Sequence, residues 1–362
     1  MRIFLILLLF CNSFCFAQFN VRKHINFDED WKFQFGNAAE PAKDFNYKIK
    51  KIEIDKILGA DISFLPELEA AGMKFKDKGV QKDVLQILKD HGFNYVRLRI
   101  FHSPGKDSGY SPGKSFCDLE HTKQMAKRIK AAGMRFLLDF HYSDNWADPG
   151  KQFKPEAWKY LNFAQLKDSV YHYTKNVIKK LKAQGTAPDM VQIGNEINHG
   201  MLWHEGRINN ADNLAQLIIA GTNAVKEIAP KTIMLLHIAL GGQNDESVSF
   251  INSMLLRDVD FDVIGQSYYP IWHGTLDDLR NNLTALINKY HKDVVVVEYS
   301  QLKKEVNDIE FNLPEGKGKG TFIWEPLSTW ENFFDKEGKS NELIKVYDSI
   351  HKKYLHSSTV KN

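Results

Sequence analysis

Residues 120–140 read EHTKQMAKRIKAAGMRFLLDF. The first part, Glu120–Ala132, has the apolar spacing of an amphipathic helix, and Gly133 is a residue type that commonly ends helices. The last part, Arg135–Phe140, is a short apolar run typical of a buried strand. A helix, a stop and a strand in this order form the repeating unit of an α/β fold.

The same unit recurs along the chain from residue 57 onward. Helix-ending glycines also occur at His91-Gly92 and Gln184-Gly185, each a few residues before an apolar run. The runs that predict strands are Ile57–Ile62, Tyr95–Ile100, Arg135–Phe140, Met190–Gly194, Thr232–His237, Val263–Tyr268, Val294–Val297 and Gly320–Trp324. The stretches that predict helices are Lys82–His91, Glu120–Ala132, Phe163–Gln184, Asp212–Ile228, Leu276–Tyr290 and Asn341–Tyr354. Eight alternations predict a closed parallel (β/α)8 barrel, a TIM barrel. An open doubly wound sheet is the runner-up, but no Gly-x-Gly-x-x-Gly follows the first strand.

The bulk composition allows one large barrel domain. The chain has 362 residues, of which 43% are hydrophobic and 26% charged, as in an ordinary globular protein. A net charge of +3 is too small to indicate nucleic acid or an anionic membrane surface as the main partner. Seven tryptophans could stack on flat faces such as sugars, although core packing explains most aromatic residues.

The first residues resemble a secretory signal. Arg2 precedes the apolar run Ile3–Phe10, and Cys15-Phe16-Ala17 offers a cleavage site before Gln18. We therefore expect a signal peptide at 1–17 and export to the periplasm, the cell surface or the medium. No later stretch approaches the ~20 apolar residues that a membrane span needs. Cys117 would then be the one cysteine of the mature chain, a packed thiol in a fold without internal disulfides.

Residues 18–55 form an N-terminal extension ahead of a catalytic domain at 56–356. The segment Ile25–Phe35 alternates like a strand and is similar to the opening segment of family 2 β-galactosidases, without the sandwich domain that should follow. We interpret it as a strand or coil packed on the outside of the barrel.

Two glutamates each close a short apolar run. Met190–Gly194 leads through Asn195 to Glu196, and Val294–Val297 leads directly to Glu298. Two facing carboxyls are the minimum apparatus for cleaving a glycosidic bond, because one protonates the leaving oxygen while the other attacks carbon or activates water. A single glutamate at a strand end is more often a solvated terminus. Here, however, the other predicted strands also end in polar or aromatic residues, and chemistry in a barrel gathers at those ends.

This convergence selects a set of substrate-binding candidates: Arg99, Asp139, His141, Asp144, Trp146, Asn195, Tyr268, Trp272, His273 and Trp324. A carboxyl in an aromatic-lined site can stay protonated, and one beside a cation stays ionised. We expect either Arg97 or Arg99 to be the cation beside Glu298, with only one of the two pointing into the barrel. Trp324 would form the floor of the site, and Asn195 would bind a sugar hydroxyl. The histidines form no zinc-binding pair, so we expect neither a metal nor a cofactor.

Several stretches together resemble glycoside hydrolase family 53, the arabinogalactan endo-β-1,4-galactanases. They are 58–66, 88–92, 96–99, 138–152 with the specific motif HYSDNWADPG, 188–197 with GNE, 200–203, 267–274 and 297–298. The resemblance covers about residues 56–300. It implies a retaining mechanism on the β-1,4-galactan side chains of pectin, with Glu196 as acid/base and Glu298 as nucleophile, their carboxyls ~5–5.5 Å apart.

After Glu298 the chain departs from that family's pattern. Tyr299-Ser300-Gln301-Leu302 leads through one short helix to Gly320, without the long excursion expected before the last strand. Alternative functions are therefore a barrel glycosidase of the same mechanism on mannan, glucan or short galactooligosaccharides, or a non-catalytic glycan-binding barrel. In each case the partner would be a glycan, and we expect the chain to be a monomer.

Overall fold

The computed structural model describes residues 53–356. The expected signal peptide and residues 18–52 of the extension lie outside the described residues, so both assignments stay predictions. Among residues 53–356, no helix combines the length and apolar character needed to cross a membrane.

Eight parallel strands close into a barrel in which each strand pairs with its neighbour in chain order and the last pairs with the first. Their bounds are β1 Ile57–Asp61, β2 Tyr95–Ile100, β3 Arg135–Phe140, β4 Met190–Ile193, β5 Ile233–Ile238, β6 Val263–Tyr268, β7 Asp293–Tyr299 and β8 Gly318–Trp324. Closure confirms the (β/α)8 barrel and excludes the open doubly wound sheet. The predicted strand ends agree with the observed ones to within two residues.

Helices connect the strands on the outside of the barrel. They are α1 Leu65–Ala70, α2 Val84–Asp90, α3 Leu119–Ala131, α4 Phe163–Ala183, α5 Ala211–Ile228, α6 Asn244–Leu255, α7 Leu276–Tyr290, α8 Lys303–Phe311 and α9 Glu342–Tyr354, with one further helical turn, Pro270–His273, between β6 and α7. Polar side chains begin several of them: the Asp118 carboxylate accepts the His121 N–H at the start of α3, and Asn162 and Gln165 form a capping box at the start of α4. Helix α8 is the short helix expected after Glu298. The sequence did not predict α1, α6 or the hairpin Lys76–Asp77/Val80–Gln81.

Strand alternation divides the apolar side chains into two clusters. Tyr95, Leu137, Met190 and Phe322 belong to a cluster inside the barrel, whereas Val96, like most of the helix faces, belongs to the larger cluster outside it. Because successive side chains point to opposite faces, residues two apart share a face. The inward faces therefore continue, toward the carboxyl ends, into polar side chains: Asp61, Arg97, Arg99, Asp139, Gln192, His237 and Ser267.

Strand β7 breaks this alternation once. Val295 and Val297 lie in the inner cluster, so strict alternation would direct Glu298 outward toward the helices. A bulge prevents this: Gln266 pairs with Val296 but Ser267 pairs with Glu298, so β7 contains one extra residue at this point. A bulge of this kind re-aims the side chain that follows it. Glu298 consequently faces the barrel interior.

Candidate active site

A cleft of about 700 Å³ lies over the carboxyl ends of the strands. Both glutamates singled out in the sequence line it. So do most of the predicted binding residues, namely Arg99, His141, Trp146, Asn195, Trp272, His273 and Trp324. Closure of the barrel thus brings together residues that are far apart in the chain.

Glu298 is held by a cation. Its Oε1 lies 2.8 Å from Nη1 of Arg97, and the Tyr269 hydroxyl donates to its Oε2 at 3.4 Å. The Arg97 guanidinium also contacts Asp61 at 2.9 Å and Asp139 at 2.8 Å, so the arginine is fixed from three sides. Burial raises the pKa of Glu298, and the Arg97 charge opposes that rise. The Arg97 charge thus favours the ionised form that attack on carbon requires, against the effect of burial.

Both strand-two arginines point into the barrel, so the expectation that only one of them would do so is wrong. Arg97 and Arg99 are two residues apart and therefore lie on the same face of β2. They take different partners: Arg97 pairs with Glu298, and Arg99 pairs with Glu325 at the end of β8. Arg99, the arginine among the predicted binding residues, lines the cleft, but among residues 53–356 its ion pairs are with Asp61 and Glu325 and not with Glu298. Arg97 is the cation beside Glu298.

Arg99 instead builds an aromatic wall. Its guanidinium carbon lies 4.4 Å from the ring centre of Phe64 and 4.3 Å from that of Trp146, a double cation–π contact. The Glu325 carboxylate forms an ion pair with the Arg99 guanidinium and also accepts the Phe64 N–H at 3.1 Å. The arginine therefore holds both rings in place, and of the two Trp146 lines the cleft.

A tight turn carries Glu196 into the cleft. Gly194 has φ +81°, and a side chain there would come within 2.6 Å of Ile197. Glu196 itself has φ 49° and ψ 52°, a left-handed conformation that non-glycine residues adopt at a cost of roughly 1 kcal/mol or more. The turn ends β4 abruptly and leaves the Glu196 side chain partly exposed to the cleft.

The nearest partner of Glu196 is a neutral hydroxyl. Ser267 Oγ donates to Glu196 Oε1 at 2.6 Å. Burial, and then the negative charge of Glu298, raise the pKa of Glu196 to about 8, while the Ser267 hydrogen bond and Arg97 act in the opposite direction. At neutral pH the carboxyl can therefore hold a proton, as a general acid must. The arrangement can therefore supply a general acid and a nucleophile in the same cleft.

Asp139, His141 and Asn195 support this pair from the strand ends. Asp139 is fully buried, and besides Arg97 it contacts His141 Nε2 at 3.0 Å, so it organises the site from below the cleft surface. Asn195 donates to the Ala147 carbonyl at 2.9 Å and accepts from Arg97 at 2.9 Å. The asparagine is thus held in one orientation beside Glu196.

One side of the cleft is an aromatic surface, which we call the tryptophan face: Tyr269, Trp272, Trp324 and Trp330. The Trp330 ring centre is 5.3 Å from that of Trp324 and 5.1 Å from that of Tyr269. Trp272 and Trp330 are 60% and 59% exposed, so their rings are available to a ligand. Flat apolar rings beside polar groups suit the C–H faces of sugars.

Besides the buried Asp139, two predicted binding residues lie outside the cleft. Tyr268 is buried on the outer face of β6, where its hydroxyl donates to the Gly274 carbonyl at 3.1 Å. Because successive side chains point to opposite faces, the next residue, Tyr269, lines the cleft instead. Asp144 lines a smaller adjoining pocket and accepts the N–H groups of Ser103 and Glu156, both at 2.9 Å. Its carboxylate ties two loops together.

His273 does line the cleft, as predicted, and burial lowers its pKa to about 4, so the ring is neutral. Tyr269, Ser267 and Trp330 were not among the site residues predicted from the sequence. The first two could have been found by extending the two-residue period of β6 from Val263, whereas Trp330 lies in a loop after β8 where no local signal marks it.

In residues 53–356, no cluster of three or more His, Cys, Asp or Glu side chains is arranged to hold a metal ion. Cys117 is buried, and burial raises its thiol pKa to about 12.

The sequence profile of glycosyl hydrolase family 53 matches residues 57–317. The chain belongs to this family. It is 39% identical over 261 residues to the endo-beta-1,4-galactanase of Bacillus subtilis (strain 168), covering 71% of this chain and 59% of that enzyme. It is 33% identical over 341 residues to the arabinogalactan endo-beta-1,4-galactanase of Cellvibrio japonicus (strain Ueda107), covering 79% of this chain and 88% of that enzyme.

A solved structure also supports the assignment of this chain to family 53. The Ignisphaera aggregans GH53 catalytic domain superposes with a TM-score of 0.77 at 33% identity, over 83% of this chain and 97% of that domain. The family indicated by the sequence motifs is therefore confirmed, and with it the glycoside hydrolase class of the cleft.

Proposed function

We propose that this family 53 chain is an endo-acting, retaining β-1,4-galactanase that cleaves internal bonds in galactan and type I arabinogalactan. One observation carries the proposal: two glutamates face one cleft, Glu298 against a guanidinium and Glu196 against a hydroxyl. Glu196 protonates the leaving oxygen while Glu298 attacks the anomeric carbon. Glu196, now ionised, then activates the water that releases the sugar from Glu298.

The substrate assignment rests on two supports. The relatives with galactanase names align over most of this chain, and the tryptophan face lies beside the two carboxyls. The cleft requires no metal or cofactor for acid and nucleophilic catalysis by carboxyls. We further propose that the protein is exported and works as a monomer on soluble polysaccharide.

Reducing-sugar release from a polysaccharide panel tests the substrate. We expect rapid release from β-1,4-galactan and little from arabinan, mannan or carboxymethylcellulose. Endo action predicts early products of mixed length, and retention predicts that NMR first detects the β-anomer. The matched control is Glu298→Ala, which should release nothing. Preferred cleavage of mannan or cellulose would overturn the substrate assignment, and tight galactan binding without cleavage by the wild type would establish a binding protein.

Export is tested separately. Expression of the full chain should yield a mature protein that begins at or near Gln18, read by N-terminal sequencing, in a fraction outside the cytoplasm. Light scattering of the same sample should give the mass of one chain. Retention of Met1 in the cytoplasm, or a dimer mass, would contradict the respective assignment.

A further inference from the structure

A buried lysine lies in the short segment that follows Glu298. Lys303 is the first residue of α8, and its side chain is 4% exposed. Its Nζ donates to the Ser300 carbonyl at 2.9 Å and also to the Glu331 carboxylate, with which it forms an ion pair. Glu331 lies in the loop between β8 and α9. The contact therefore ties this loop to the start of α8.

A charged amine at this position needs its partner. Burial removes hydration from the ammonium, and a cation in the first turn of a helix lies at the positive end of the helix dipole. Burial accordingly lowers the pKa of Lys303, whereas the hydrogen bond and charge of Glu331 act in the opposite direction. An ion pair between two exposed side chains constrains little. Here one partner is buried, so the pair restricts where Glu331 and its loop can lie.

The residue before Glu331 is Trp330, a member of the tryptophan face. The Trp330 ring packs on those of Trp324 and Tyr269, and the Trp330 backbone has φ 40°. This left-handed conformation is unfavourable for a tryptophan, so it persists only where surrounding contacts enforce it. The position of the ring in the cleft therefore depends on what holds the loop.

The loop is tied to the barrel on either side of this tryptophan. Before it, Thr329 Oγ1 donates to the Glu325 carbonyl at 2.8 Å, and after it, Phe333 is fully buried. Among residues 53–356, the middle of the loop, Trp330-Glu331, is held by the ring packing and by the ion pair with Lys303. Loss of the ion pair would therefore free the tryptophan more than the rest of the loop.

We propose that Lys303 and Glu331 are a positioning pair that holds Trp330 in the tryptophan face and so sets the affinity for the glycan chain. This inference rests on the proposed function, because it takes galactan as the ligand of that face. Of the described residues, Trp330 lines the cleft but neither Lys303 nor Glu331 does, so their effect on the ligand passes through the ring. The pair does not contact the catalytic glutamates, so the effect falls on binding and not on bond cleavage.

The kinetic experiment compares Lys303→Met and Trp330→Ala, singly and together, on galactan. Methionine keeps an unbranched apolar side chain at this buried position and removes the charge. We expect KM to rise about 3- to 10-fold in Lys303→Met with kcat nearly constant. In the double variant KM should equal that of Trp330→Ala, because the ring through which the pair acts is already absent. Effects of two independent sites would instead multiply.

A second measurement needs no galactan. Acrylamide quenching of tryptophan fluorescence reports how far the rings are exposed. We expect Lys303→Met to increase quenching relative to the wild type, because the Trp330 ring leaves its neighbours. The double variant should be quenched no more than Trp330→Ala.

Two further variants control the comparison. Lys304→Met removes the neighbouring lysine, which is 61% exposed and pairs with Asp308 at 2.7 Å, and should change neither KM nor quenching. Glu331→Gln keeps an oxygen that can accept from Lys303, so KM should rise less than in Lys303→Met. Because Glu331 is partly exposed, this variant also serves if Lys303→Met does not fold.

Three results would overturn the inference: an unchanged KM in Lys303→Met, effects that multiply in the double variant, or a fall in kcat alone, which would leave a merely structural role. Failure of the proposed function is distinguishable, because the wild type would then not hydrolyse galactan at all. The quenching comparison would still show whether the pair positions Trp330.

Discussion

The surroundings of Glu298 and Glu196 differ in the charge of the nearest partner. Glu298 has a buried guanidinium at 2.8 Å, itself fixed by two aspartates, whereas Glu196 has a serine hydroxyl at 2.6 Å. Both side chains are glutamates that line one cleft, so residue type does not distinguish them. The partner does, because a cation favours the ionised carboxyl more strongly than a hydroxyl. This difference is the physical basis of the proposed roles, attack for Glu298 and proton transfer for Glu196.

Removing the nucleophile is the most severe way to break this comparison. In Glu298→Ala no carboxylate can attack the anomeric carbon, and we expect galactan hydrolysis to fall by about 10⁴-fold or more. Added azide should occupy the vacated space, attack an activated aryl galactoside and give the α-glycosyl azide, identified by NMR. Unchanged hydrolysis in this variant would remove Glu298 from the mechanism.

Glu196→Ala should slow the cleavage of galactan much more than that of an activated aryl galactobioside, whereas Glu298→Ala should not distinguish between the two substrates. The expected loss on galactan is about 10²- to 10⁴-fold, because an alcohol leaving group needs a proton. Bond cleavage in an activated aryl galactobioside should be nearly unaffected, since its leaving group departs as the anion. Pre-steady-state release of the aryl alcohol measures this step. Equal losses on both substrates would contradict the assignment of Glu196 as the acid.

The pH profile sharpens the comparison without a mutation. With a pKa of about 8, Glu196 is protonated below that pH and loses its proton as the pH rises through it. We therefore expect kcat/KM on galactan to fall on the alkaline side with a midpoint near 8. In Glu196→Gln that alkaline limb should be absent from the residual activity. An alkaline limb that persists in Glu196→Gln would assign it to another group.

The smallest expected effect lies at the tryptophan face, away from both carboxyls. Trp330→Ala removes an exposed ring but no titrating group, so we expect KM on galactan to rise about 3- to 10-fold with kcat nearly constant. Tyr160→Ala is the matched control, because this tyrosine is 87% exposed and lies outside the cleft. A large fall in kcat for Trp330→Ala would mean that the ring also orients the reacting sugar.

Much of the fold and the central pair could be predicted because both depend on short-range patterns. Strand and helix periods, with glycines at helix ends, indicated all eight barrel strands and their order. The runs that end at Glu196 and Glu298 marked both residues as strand-end carboxyls. Tyr268 and Asp144 show the limit: each follows a strand, but the face of the strand or the fold of the loop turns it away from the cleft.

The sequence by itself therefore determined the barrel, the order of its strands and the ends at which two glutamates lie. Only the tertiary structure decided which groups those glutamates meet. The extra residue in β7 is visible only against its pairing with β6, and it is what turns Glu298 inward. The contacts of Glu298 with Arg97 and of Glu196 with Ser267 join strands that are distant in the chain. Local periodicity carries no information about such pairs; closure of the barrel and the register between strands create them.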